Sequence, residues 1–146
     1  MQSKIYALLA LTALAPALAC AGSASGDSGF ATLADPYEEV RTALLHDTLE
    51  GVAEHARSIE RAAHVLAADF DAEAAGVPAE AAEEARTLLP RMAEAARALV
   101  QAGDLAAARA AFGELTEPLV RYRELAGDNG VQLAYCPMAG KSWLQK

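Results

Sequence analysis

The chain predicts an all-α fold: an up-and-down helical bundle of three long helices and a shorter first helix, closed by an extended C-terminal tail. Three observations carry this. Apolar residues recur in steps of three and four through most of the sequence, which is the period of a helix face. Gly, Pro and Asp fall where those stripes stop and restart. The breaks are short, and short connections favour antiparallel neighbours.

The first helix is expected from Asp35 as N-cap, with Pro36 at the first helical position, where its missing N–H costs nothing. Tyr37, Val40 and Leu44 give it an apolar face, and Asp47 reads as a second cap or a kink. The second stripe is unbroken: Leu49, Val52, Ala56, Ile59, Ala63, Leu66 and Phe70. Gly76-Val77-Pro78 interrupts it, and Pro78 or Ala79 restarts a third helix through Ala81, Ala85, Leu88, Met92, Ala95, Leu99 and Ala102. Pro90 lies off that stripe and should bend the helix. Gly103 ends it and Asp104 caps a fourth, whose stripe is Leu105, Ala108, Phe112, Leu115, Leu119 and Tyr122, with Pro118 as a second site for a kink. Gly127 to Gly130 stops the helical pattern, and Val131 to Tyr135 runs extended into the tail. Two segments, Leu49 to Ala63 and Gly103 to Leu115, look like tetratricopeptide helices, but no repeat of about 34 residues recurs.

Residues 1–19 read as an export signal. Lys4 supplies the positive start, Ile5 to Leu18 an apolar run, and Ala17-Leu18-Ala19 a small-x-small cleavage site. The run is short for a membrane span, which needs about 20 residues. Cys20 follows at once and resembles the lipid-acceptor cysteine of a bacterial lipoprotein, although Leu18 sits one place late for the usual pattern. Residues 20–34, rich in Gly and Ser at their start, are expected to be a flexible tether. The expected location is the periplasm, anchored to the outer membrane. The remainder, 35–146, fits one domain.

Composition narrows the function. Hydrophobic residues make up 53% of the chain but aromatics only 5%, so Ala must form much of a core of closely approaching helices. The net charge of −8 and the lack of Lys/Arg clusters argue against nucleic acid, whose phosphates demand them. If Cys20 is lipidated, Cys136 is the one thiol left, and an unpaired thiol in an exported protein suggests a metal, a partner or a redox role. A Cys20–Cys136 disulfide is the alternative without a lipid.

No catalytic set stands out. His46, His55 and His64 are spaced by nine, but nine residues turn a helix by about 900° and place neighbours on opposite faces roughly 13 Å apart. They read as solvated flank residues with Glu50 and Glu60 nearby. The Glu-x-x-His pairs of a di-iron bundle are missing, because Ala43, Val52 and Arg61 stand three before the histidines. Haem attachment by C-x-x-C-H is also missing. The chain is expected not to be an enzyme.

The tail, Tyr135-Cys136-Pro137-Met138, differs. In extended backbone residues i and i+2 point to the same side, so Cys136 and Met138 could offer thiolate and thioether to one soft cation, Cu(I) above all. One of His46, His55 or His64 is a candidate third ligand. The competing expectation is a hydrophobic lid in which Cys136, Met138 and Trp143 pack over the bundle end.

Tyr-Cys-Pro-Met-Ala at 135–139, a short Gly-containing gap, then Trp143-Leu144-Gln145 resembles the closing signature of the domain-of-unknown-function family 3347. Tyr37 to Leu44 followed by Asp47, Ala53 and Ala56 looks like that family's opening helix and second cap. Gly103-Asp104 with Arg109, Phe112 and Leu115 looks like its last long helix. The likeness spans about residues 35 to 145, and its specific part is the tail. It implies an exported α-helical domain, found alone or fused to the adaptor subunits of heavy-metal RND efflux pumps of the copper/silver type, with Cys136 and Met138 as metal-ligand candidates. An efflux adaptor or another envelope protein is the implied partner. Family members usually carry a later Met and Cys-Gly, which have no counterpart before Lys146. Two functions are therefore expected in competition: an anchored domain that binds or passes on a soft metal, and an anchored protein-interaction module with a structural tail.

Overall fold

The computed structural model describes residues 29–127 and 130–146; the expected signal segment, Cys20 and residues 21–28 of the expected tether lie outside the described residues. Four helices follow in order: α1 (Ala31–Leu45), α2 (Val52–Ala68), α3 (Ala82–Val100, entered through a 3₁₀ turn at Ala79–Ala81) and α4 (Leu105–Ala126). Each packs on the next, and α1 also meets α4. The protein is mostly helical, and the tail is not simply extended. It folds into a two-stranded antiparallel hairpin, β1 (Gln132–Cys136) and β2 (Lys141–Gln145).

The helical stripes expected from periodicity form the core. In α2, Val52, Ala56, Ile59 and Ala63 are buried, with Leu49, Leu66 and Phe70 packed against them. In α3, Ala85, Leu88, Met92, Ala95 and Leu99 are buried, but so are Leu89, Ala93 and Ala96. The wider face follows from position, because α3 packs on both α2 and α4. In α4, Ala108, Leu115, Leu119 and Tyr122 are buried, and the Asp104 carboxylate caps the helix by accepting from the Ala107 N–H at 2.8 Å. Pro90 is exposed within α3, whereas Pro118 is buried within α4.

The start of α1 departs from expectation. Asp35 is not its cap, and the folded part begins before residue 35, inside the segment expected to be tether. Phe30, Leu33 and Ala34 are buried, so the apolar stripe extends one turn further toward the N-terminus. Phe30 stacks on Tyr122 with ring centroids 6.2 Å apart. Burying Phe30 and Leu33 is worth roughly 1.5–3 kcal/mol each. That offsets a Pro36 held inside the helix, where it leaves a carbonyl of the first turn without its helical donor. At 15 residues α1 is the shortest of the four helices, as expected, although it approaches the 17 of α2.

Asp47 is neither cap nor kink. It sits in the connection after α1 with φ of 56°, and its carboxylate is paired with Arg109. The same guanidinium donates to the Leu44 carbonyl at 2.9 Å, so a side chain of α4 satisfies the C-terminal end of α1.

The hairpin docks through Leu144, which is fully buried, and through buried Val131 just before β1. β2, rather than β1, carries the packing on α4 and α1. The Leu144 N–H lies 3.5 Å from the buried Tyr37 hydroxyl, which is 3.1 Å from Thr116 Oγ1; Thr116 in turn donates to the Phe112 carbonyl at 2.7 Å. Burial raises the Tyr37 phenol above its ordinary value. Tyr122 differs: its buried hydroxyl has no partner among the described residues.

The two buried phenols should respond to hydroxyl removal with opposite signs. Tyr37→Phe breaks a satisfied network and should cost about 1–3 kcal/mol in urea denaturation. Tyr122→Phe removes an unpaired buried hydroxyl and should leave stability unchanged or raise it by about 1 kcal/mol.

Candidate soft-donor site on the hairpin

The register of the hairpin sets which side chains share a face. Gln132 opposes Gln145, Leu133 opposes Leu144, Ala134 opposes Trp143, Tyr135 opposes Ser142 and Cys136 opposes Lys141. Directly opposed residues of an antiparallel pair lie on one face, and faces alternate along the strand. Leu144 fixes the face that meets the bundle. Cys136 therefore shares the opposite face with Ala134, Trp143 and Lys141. Trp143 is half-buried there and donates its Nε1–H to Gln145 at 3.2 Å.

Cys136 is a free, half-buried thiol at the last position of β1. The chain then turns through Pro137 to Gly140, with Gly140 at φ of 59°. Met138 stands in this turn and is 94% exposed. The expectation that extended backbone aims both sulfurs to one side does not hold as stated. The strand ends at Cys136, and a Pro start with a left-handed Gly makes a turn where an extended segment was expected. Cys136 closes the strand and Met138 stands two residues on, in the turn.

The hydrophobic lid is also placed differently. Leu144 fills that role, while Met138 is 94% exposed among the described residues and Cys136 and Trp143 are only partly covered. The histidines stay apart from one another. His46 is exposed at the end of α1, and exposed His64 lies 4.0 Å from the Glu60 carboxylate, as expected of flank residues. His55 lines an open groove between α1 and α2 with Thr32, Asp35, Glu38, Ser58 and Lys146. Among the described residues no three of His, Cys, Asp and Glu gather as a metal-binding group.

The base of the hairpin is tied at the groove, where Lys146 pairs with Asp35. Beside it the Arg41 guanidinium grips both oxygens of Glu38, at 2.8 and 2.6 Å, and holds that carboxyl below its usual range. Two features of this region were not anticipated from sequence: the exposure of Leu133 and Tyr135 on β1, and Lys141 opposite the thiol. Their signal was present in the Pro-x-x-Gly turn, whose pairing of residues 132–136 with 141–145 follows once the turn is recognised.

No family model, no curated protein and no solved structure matches the chain. The likeness to the 3347 family rests on the residues quoted above. No helix among the described residues is long and apolar enough to cross a membrane.

Leu144→Ala should cost about 2–5 kcal/mol and speed alkylation of Cys136, with far-UV helicity retained below the unfolding transition. Glu38 has a lowered folded pKa, so its contribution is present above the ordinary glutamate range and lost as pH falls through the lowered value. Glu38→Gln should flatten that acid limb in pH-dependent denaturation.

Proposed function

We propose that this chain is a non-enzymatic cell-envelope domain whose hairpin turn offers Cys136 and Met138 to a soft cation, Cu(I) first, as cargo to be bound and passed on. The observation that carries the reading is Met138. A long thioether that is 94% exposed serves no packing purpose, and it stands two residues from the free thiol. Thiolate and thioether are the donors that select Cu(I) over harder ions. The donor set fits a weak, open site. Two sulfurs suffice to hold Cu(I) loosely, and the uncovered turn leaves room for a third donor from a partner. The resemblance of the tail to the 3347 family, and the export signal with Cys20 as lipid acceptor, point to the periplasmic face of the outer membrane and to an efflux adaptor or other envelope protein as that partner. In this reading the helices form an up-and-down bundle whose role is to hold the hairpin.

A second reading, an anchored protein-interaction module, is favoured by Leu133 and Tyr135, which are 42% and 61% exposed on β1. It requires no metal.

Titration of the full chain carrying Cys20→Ser with Cu(I), against a chromophoric chelator under reducing conditions, separates the two. The soft-metal reading expects one equivalent bound and at least a tenfold loss of affinity in Cys136→Ser/Met138→Leu. Unchanged affinity in the double variant, or no binding by the parent, rejects it.

A further inference from the structure

We propose that β1 is a self-association edge, pairing antiparallel with β1 of a second copy about a two-fold axis at Ala134 to give a four-stranded sheet. Among the described residues the sheet has two strands, and β1 has one edge without a strand neighbour. Exposed edges are normally protected by Lys, Pro, a bulge or a covering element. Gln132-Leu133-Ala134-Tyr135-Cys136 contains no charge and no proline, and the packing against the helices runs through β2. Of the five large exposed apolar side chains among the described residues, Leu133, Tyr135 and Met138 lie on this strand and its turn.

Charge favours a second copy at this surface over any other part of the chain. All 20 Asp and Glu precede Gly130, whereas residues 130–146 carry Lys141 and Lys146 and no carboxylate. A molecule of net charge −8 repels its copy wherever acidic helices meet. Along β1 it meets an uncharged strand.

The strand is also complementary to itself. Leu133 and Tyr135 flank Ala134 and lie on one face. An axis at Ala134 sets Leu133 opposite Tyr135 of the second copy, and Tyr135 opposite its Leu133. Aromatic–aliphatic pairs of this kind stabilise antiparallel sheets. On the other face Gln132 opposes Cys136 of the second copy, and the two small Ala134 residues meet at the axis. The pairing is isologous and closes at two copies. The two Cys136 positions lie four residues apart along the strands, about 13 Å at the strand rise, too far to form a disulfide. The dimer therefore persists in reductant.

Sedimentation velocity of the full chain across concentration, in reductant and chelator, tests this without reference to metal. The parent should show a concentration-dependent dimer. Leu133→Lys/Tyr135→Lys and Leu133→Glu/Tyr135→Glu should each sediment as monomer with unchanged helical circular dichroism, because like charges then face each other across the axis. Mixing the two variants should restore a dimer containing one copy of each. A parent that stays monomeric, dimers that survive in either double variant, or a mixture that stays monomeric overturns the proposal. Binding of the parent to anionic vesicles without a solution dimer assigns the surface to a bilayer and overturns it equally.

Discussion

The chain of hydrogen bonds from Leu144 through Tyr37 and Thr116 to Phe112 determines where the hairpin sits. Its direction follows from the donor inventory. Thr116 has one hydroxyl proton and gives it to the Phe112 carbonyl, which can only accept. Tyr37 must then donate to Thr116, and its remaining lone pair receives the Leu144 N–H. One arrangement satisfies all three members and links α1, α4 and β2. Tyr37 also stacks on Phe112 with centroids 4.7 Å apart, so the phenol is positioned by packing as well as by bonding. Buried polar networks are specific because a half-satisfied one is costly. Shifting β2 by one residue removes the donor from Tyr37 and turns Leu144 out of the core.

That constraint matters because a two-stranded hairpin is marginal by itself. Here the base of the sheet is held by the core while its tip is free. At that base Arg123 adds a bond to the Val131 carbonyl at 3.1 Å, and Lys146 pairs with Asp35. Cover is uneven along the hairpin: Leu144 is enclosed, Cys136 half-covered, Leu133 and Tyr135 exposed, and Met138 almost wholly in water.

The helices were legible because their signal is local and repeated. Ile59 and Ala63 in α2, or Leu115 and Leu119 in α4, are placed by their neighbours three and four residues away. The misjudged start of α1 shows the limit of that logic. Asp35-Pro36 is a good local start signal, yet Phe30 and Leu33 have long-range partners that extend the helix past it. The extra buried width of α3 comes likewise from being sandwiched, which no single-helix pattern contains. The hairpin was half legible. Val131 to Tyr135 reads as extended, but its partner strand ends in Trp143-Leu144-Gln145, which sequence alone offers as a closing signature and not as a strand. Cys136 and Met138 were visible as soft donors by type. Their unequal exposure depends on where the turn falls, and Thr116 lay off the apolar stripe that would have flagged it as core.

The geometry also bounds what the two sulfurs can do together. Lys141 stands opposite Cys136 and adds a positive charge where a cation would bind. The acidic side chains that give the chain its charge all precede the hairpin in sequence, and carboxylates are poor ligands for a soft ion in any case. Pairing of two β1 strands does not remedy this, since it separates the thiols by about 13 Å and points the two turns away from the axis. A symmetric dimer would thus carry two independent two-sulfur sites, not one four-sulfur site. If Cu(I) binds there as proposed, tight retention would demand a donor from outside the chain, and without one the ion would exchange readily. A site of that kind is suited to handing a metal on and unsuited to storing it.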